Sequence, residues 1–406
     1  MNESDAVSYG KQQVDDFVLR AAELLHCYGT PSFRLEGVMT KVATTLGISG
    51  DFLYTPTALV IGLDDGNEER TYVRRVHSGD TDISKILALD QVLEELEAGK
   101  ILLPEASERL EQIASASPPF GMLSTLSASA VACVGVAIIF GGNGLEAAIA
   151  GLFGVVIAYV TMATASYAQQ GLLEPLLGFT VAILTVALSR WLPINDRLIT
   201  LAALILPIPG LSLTIALTEL ALRHLSSGAA RLAGAMVSLF TLVVGVAIAW
   251  RLTEQWGIAN PVRLEPLPDW CLWVAVSVTP LAFGVVFKAP VSQWPAIVGL
   301  VIGGFLASRY MTDAAGPELG ALVGALVVGC GSNIYARLFN RPAMILQTPG
   351  LLILVPGSIG YSALTAMIDH DTIRGIELAF SMSILGVALV GGLLLANQLV
   401  SPKRIL

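Results

Sequence analysis

Charge is scarce in this sequence: Asp, Glu, Lys and Arg make up 14% of its 406 residues, against about 25% in ordinary soluble proteins. The shortage is uneven. Residues 1–115 hold 10 Lys/Arg against 20 Asp/Glu, while residues 116–406 hold 13 against 12 over more than twice the length. Two regions therefore face two solvents. The acidic first region argues against nucleic acid or an anionic lipid surface as its partner. Cysteine is also scarce. Cys27, Cys133, Cys271 and Cys330 show no CxxC or Cys/His spacing, so they read as reduced packing residues, and no metal or cofactor is expected. The opening MNESDAVSYGKQQVDDF lacks a charged-then-apolar pattern, giving the expectation of no cleaved leader. A nucleophile elbow, HExxH and a phosphate-cradling glycine loop are missing as well. The chain is not expected to be an enzyme.

What the sequence has is long apolar runs behind a polar start. Residues 1–117 read as a cytosolic α+β domain and linker. Helical spacing covers 14–28, 35–46, 82–98 and 104–114, and strands are expected over 52–63 and 70–77, around the turn Asp64-Asp65-Gly66-Asn67. About ten apolar segments follow, each near the roughly 20 residues that cross a bilayer. They fall near 122–140, 147–165, 174–189, 198–222, 232–250, 271–287, 291–308, 317–334, 342–368 and 375–400. The fold class expected is an α-helical polytopic membrane protein. Lys/Arg are nearly balanced between the two sides, so a cytoplasmic N-terminal domain rests on the missing leader and the preceding soluble region.

The two membrane halves, 118–255 and 256–406, match each other at an offset of about 147 residues. Phe140 falls on Phe287, Pro209-Gly210 on Pro356-Gly357, Ala216-Leu217-Thr218 on Ala363-Leu364-Thr365, and Gly228 on Gly375. Five spans per half is an odd number, so equivalent helices run in opposite directions. Such inverted repeats are common in secondary transporters, with the substrate at the repeat interface.

Both fourth spans are interrupted, by Pro207-Ile208-Pro209-Gly210 and by Pro349-Gly350 with Pro356-Gly357-Ser358. Proline removes a backbone donor, and freed polar groups survive in hydrocarbon only where protein or a lined cavity satisfies them. Two half-helices starting at Gly210 and Gly357 would aim free N–H groups and positive dipole ends at a carboxylate. The candidate substrate-binding set is Pro209, Gly210, Ser212, Thr214, Pro356, Gly357, Ser358, Tyr361 and Asn333. A simple proline kink is the bland alternative. Glu219 lies nine residues past Gly210, roughly 14 Å along a helix, as a coupling carboxylate, a partner for a substrate ammonium, or a solvated helix end. Asn333, Gln347 and Asn143 are read either as substrate contacts or as bridges between helices. Gly299–Gly303 and Gly320–Gly324 read as sites of close helix packing, and Asp369-His370-Asp371 as a solvated loop.

Three stretches resemble the bacterial threonine/serine exporters. They are Gly29-Thr30-Pro31-Ser32-Phe33-Arg34-Leu35-Glu36 with Leu46-Gly47; Leu206 to Gly210 with Glu219, Gly228 and Arg231; and Leu354-Val355-Pro356-Gly357-Ser358. Glu219 stands where that pattern carries aspartate, and Arg223-His224 where it carries Gly-Asp. The resemblance implies a single-chain, multi-pass protein of the bacterial inner (plasma) membrane, exporting threonine or serine by alternating access under proton motive force. Its partners would be the small-molecule substrate, protons and the lipid bilayer, with a homo-oligomer left open. A dicarboxylate such as succinate is the alternative substrate. A membrane-anchored enzyme with its site in the N-terminal domain, and a passive channel, are the remaining alternatives.

Overall fold

The computed structural model describes residues 10–77, 79, 81–164, 171–256, 265, 267–352, 354 and 357–402. Residues 10–116 form the N-terminal unit. Helices α1 (Lys11–Cys27) and α2 (Ser32–Thr45) precede strands β1 (Ser49–Thr55), β2 (Ala58–Asp64) and β3 (Glu69–Arg75), and α3 (Ile83–Glu97) and α4 (Leu103–Ser115) close it. The strands pair antiparallel in the order β1-β2-β3. Alternation along β2 buries Leu59, Ile61 and Leu63 against Phe17, Leu25, Leu35 and Met39 from α1 and α2. On β3 the side chains stand mostly in the open, and Tyr72 ties that edge to α1 by donating to Asp15 Oδ2 at 2.7 Å.

Residues 52–63 are not one strand, as the apolar run had suggested. A tight turn at Pro56-Thr57 divides them, with Thr55 paired to Ala58 and the Ala58 N–H donating to Thr55 Oγ1 at 3.0 Å. Pro56 has no N–H for a ladder, so a reversal there costs no hydrogen bond.

Nearly all that follows is helix. The first half comprises α5 (Met122–Ile139), α6 (Gly144–Ala163), α7 (Leu173–Ser189), α8 (Asp196–Ala203), α9 (Gly210–Ala221) and α10 (Leu225–Thr253). The second comprises α11 (Asp269–Val286), α12 (Trp294–Ala315), α13 (Pro317–Phe339), α14 (Met344–Leu352), α15 (Gly357–Ile368) and α16 (Thr372–Leu399). Among the described residues, eight helical stretches, with 344–368 counted as one, are long and apolar enough to cross a bilayer; α7 and α9 are apolar but shorter. The chain is a multi-pass membrane protein. Most of its large exposed apolar side chains, among them Val244, Phe380 and Val387, lie on these helices, where hydrocarbon is the natural solvent.

Close packing is made by small residues. A Cβ on Gly245 would meet Pro175 O of α7 at 2.0 Å, and one on Gly392 would meet Leu322 O of α13 at 2.2 Å, so α7–α10 and α13–α16 pack nearly backbone to backbone. Gly320 and Gly324 serve α12 and α13 in the same way. Gly299 and Gly303 do not: the first has open space and the second only Val327 at 3.9 Å.

Candidate functional site

Helix α8 stops short at Ala203, and Pro207 and Pro209 lie in the break. Pro209 then stands as the N-cap of α9, with φ −78° and ψ 43°. In the second half α14 ends at Leu352 and α15 begins at Gly357. Pro356 itself lies outside the described residues. The break expected at Pro207–Gly210 is present and a new helix starts at Gly357, but Pro349-Gly350, read as part of the second break, lies inside α14.

Their starts meet. A Cβ on Gly357 would fall 2.9 Å from Gly210 Cα and from Ile208 Cγ2, a gap that only glycine allows. Each helix start carries roughly half a positive charge. Two of them, facing each other inside an apolar bundle, leave a region where an anion is favoured. The helices also run in opposite directions. From Gly210, α9 leads to Glu219 and the N-terminal unit. From Gly357, α15 leads away, to Asp369, which pairs with Arg197 at the start of α8.

The hydroxyls divide. Thr214 is 1% exposed, and its Oγ1 donates to Gly210 O at 3.3 Å. Ser212 and Ser358 are half-buried near the two helix starts. Tyr361, one turn into α15, is 3% exposed, and its buried phenol oxygen has no hydrogen-bond partner among the described residues. Leaving such a group unpaired in a core costs about 1–3 kcal/mol. Asn333 is not brought to this group: its amide donates to Asn397 Oδ1 at 2.9 Å and to Val400 O at 2.8 Å, bridging α13 to the end of α16. Asn143 caps α6, accepting from the Leu145 and Glu146 N–H groups at 3.0 Å.

Glu219 stands at the far end of α9, at the junction with the N-terminal unit. It is fully buried and accepts four hydrogen bonds: Ser32 N at 3.0 Å, Ser32 Oγ at 2.8 Å, Arg231 Nε at 3.2 Å and Arg231 Nη2 at 3.3 Å. Ser32 Oγ also lies 2.6 Å from Ser227 Oγ. The reason is local. Pro31 precedes α2 and offers it no side-chain cap, so the carboxylate of another element fills the role at a positive helix end. This placement puts Glu219 at the junction with the N-terminal unit, at the opposite end of α9 from Gly210. Docking continues along α3, whose first N–H, on Ile83, donates to Phe287 O at 3.0 Å, while Asp82 pairs with Lys288 at 3.1 Å.

Between the N-terminal unit and the half-helices lies a cavity of about 50 Å³, lined by Phe33 and Arg34 of α2, Thr214 and Thr218 of α9, and Gln347 and Thr348 of α14. The Arg34 guanidinium donates to Gln347 Oε1. Neither the place of Arg34 at this cavity nor the pairing of Ser32 with Glu219 and Ser227 follows from the residue pattern. The signal available was the run Gly29-Thr30-Pro31-Ser32-Phe33-Arg34.

On the opposite side, Arg197 pairs with Asp369 and stacks over Trp250, 4.7 Å from the ring centroid. Asp371 caps α16 through the Arg374 N–H at 3.3 Å, and Arg251 Nη2 lies 2.7 Å from His370 Nε2. The 369–371 run is thus bound into the helix ends rather than only solvated. Among the described residues no cluster of His, Cys, Asp and Glu has the makings of a metal site.

Two family models match the chain. One, described as "Putative threonine/serine exporter", covers residues 16–253, and "Threonine/Serine exporter, ThrE" covers 272–399. Among curated proteins, a Schizosaccharomyces pombe protein is 24% identical over 367 residues, 86% of this chain and 48% of its own length. Pheromone-regulated membrane protein 10 is 25% identical over 84% of this chain in Saccharomyces cerevisiae, covering 46% of that protein. In Pichia sorbitophila the figures are 23%, 84% and 36%. The chain thus spans about half or less of the length of these relatives. No solved structure matches.

Proposed function

The chain belongs to the threonine/serine exporter family, and on that premise we propose that it is a secondary active exporter of threonine and serine, coupled to protons and working by alternating access. The observation that carries this reading is the meeting of Gly210 and Gly357. Two helix starts of opposite direction converge inside the bundle, the arrangement in which an amino-acid carboxylate is held between dipole ends.

In this reading the chain crosses the bilayer ten times: the eight long stretches, α7, and the α8–α9 pair. The halves are inverted five-crossing repeats, a view supported by the opposed directions of α9 and α15 and by the shared 147-residue spacing. The N-terminal unit lies in the cytosol, as the docked side of the bundle. The hydroxyls of Ser212, Thr214, Ser358 and Tyr361 read the substrate hydroxyl, Tyr361 by turning its unsatisfied phenol toward it. Glu219 carries the proton: once protonated it loses its charge pairing with Arg231 and its hold on Ser32, which frees the N-terminal unit to move.

Proteoliposomes loaded with labelled threonine, serine or succinate, with and without a proton gradient, test the reading. Gradient-driven threonine or serine flux is expected. Flux of succinate alone would replace the substrate, and passive flux of any of them would remove the coupling.

A further inference from the structure

The cavity beneath the N-terminal unit contains one charged side chain among the described residues that line it, Arg34. It is 8% exposed and lies in contact with the Gln347 amide. Burial pushes its guanidinium down to about 10, which still leaves it charged at neutral pH. The other polar side chains lining it are neutral: Thr81, Thr214, Thr218, Thr348 and Gln347. The Thr214 and Thr218 hydroxyls donate to Gly210 O and Thr214 O. The donors facing a ligand are thus Arg34, the Gln347 amide and Thr348, and the planar guanidinium matches a carboxylate in both charge and shape. The cavity reaches the first turn of α9, where Leu211 and Thr214 line it and Thr214 bonds to Gly210 O.

We propose that the N-terminal unit supplies part of the transport path itself: Arg34, with Gln347 and Thr348, forms an entry site that binds the carboxylate of a small amino acid or dicarboxylate. The site rests on the exporter reading and adds to it a binding residue outside the membrane helices. The segment 29–34 roofs this cavity, and a ligand enters it when that segment lifts and Ser32 leaves Glu219. The carboxylate arrives on Arg34 and then passes along Thr214 to the helix starts.

The test is thermal unfolding of the full-length protein in detergent, titrated with threonine and succinate and with their uncharged amides. Wild type is expected to be stabilised by at least one acid about tenfold more effectively than by its amide, the scale of one charge-assisted pair. Arg34→Gln loses that preference and Arg34→Lys keeps part of it. Gln347→Glu places an internal carboxylate beside Arg34, so it stays folded and loses acid binding. No acid stabilisation in wild type, or a full preference retained in Arg34→Gln, overturns the site. If Arg34→Gln does not fold, acid binding retained by Gln347→Glu overturns it. Flux separates the two readings. Threonine export with a preference indifferent to Arg34 removes the entry site alone, whereas an Arg34-dependent preference without flux removes the exporter reading alone.

Discussion

Gly210 and Gly357 hold two half-helices tip to tip, so close that a single methyl on Gly357 would stand 2.9 Å from the backbone of Gly210. Gly357→Ala therefore forces the starts apart, at a cost on the scale of overpacking, about 1–3 kcal/mol. Flux in proteoliposomes should fall about tenfold or more, and Gly357→Leu should abolish it with the protein still in the membrane. Wild-type flux from both variants would take the helix starts out of the transport path.

Glu219 and Arg231 form a buried pair, with side chains 0% and 16% exposed. Removing one charge strands the other, a loss of about 3 kcal/mol. Glu219→Gln should lower stability by that amount in chemical unfolding and make flux indifferent to the proton gradient. Adding Arg231→Gln should recover part of the stability. A loss under about 0.5 kcal/mol for the single variant would mean that the pair holds nothing together.

Asn333 is a bridge between helices. Asn333→Ala leaves Asn397 Oδ1 and Val400 O without their donor, at a cost of about 1–3 kcal/mol. The expected outcome is a lower melting temperature with an unchanged KM for threonine. A raised KM at unchanged stability would restore Asn333 to the substrate site.

His26 gives a pH dependence outside the membrane. It is 4% exposed, with Nε2 3.2 Å from Pro56 O, and burial lowers its pKa below the usual 6.5. As pH falls through about 6.5 the unfolded state takes up a proton before the folded one, so stability drops below that pH. The decline stops once pH passes the lower folded value. The protection of α1 amides, expressed relative to the intrinsic exchange rate at each pH, should fall from pH 7 to 5.5, and His26→Gln should remove this fall. Equal acid sensitivity in the variant would assign it to other groups.

Much of this architecture was legible because apolar length and proline breaks act locally. The 147-residue offset, read from a few matched residues, recurs in the backbone. Helices α9 and α15 start at that spacing, as do α5 and α11, and α10 and α16. Arg223 and His370, also 147 apart, both take positive φ, 70° and 64°, where a half-helix ends and the next helix begins. What stayed hidden was pairing over long range. Ser32 meets Glu219 across 187 positions, and Arg34 meets Gln347 across 313, and no periodicity carries such a contact. The Pro56 turn was missed for the opposite reason, since a two-residue reversal leaves an apolar run nearly unbroken.

The central claim is that substrate occupies the space where the half-helices begin. Cysteines placed one at a time at Ser212 and Ser358, in a chain freed of Cys27, Cys133, Cys271 and Cys330, test it through labelling by a membrane-impermeant thiol reagent. Each position is predicted to be reachable from an aqueous side during turnover and to be protected by threonine. Positions never labelled, or labelled at a rate that no substrate changes, would contradict it.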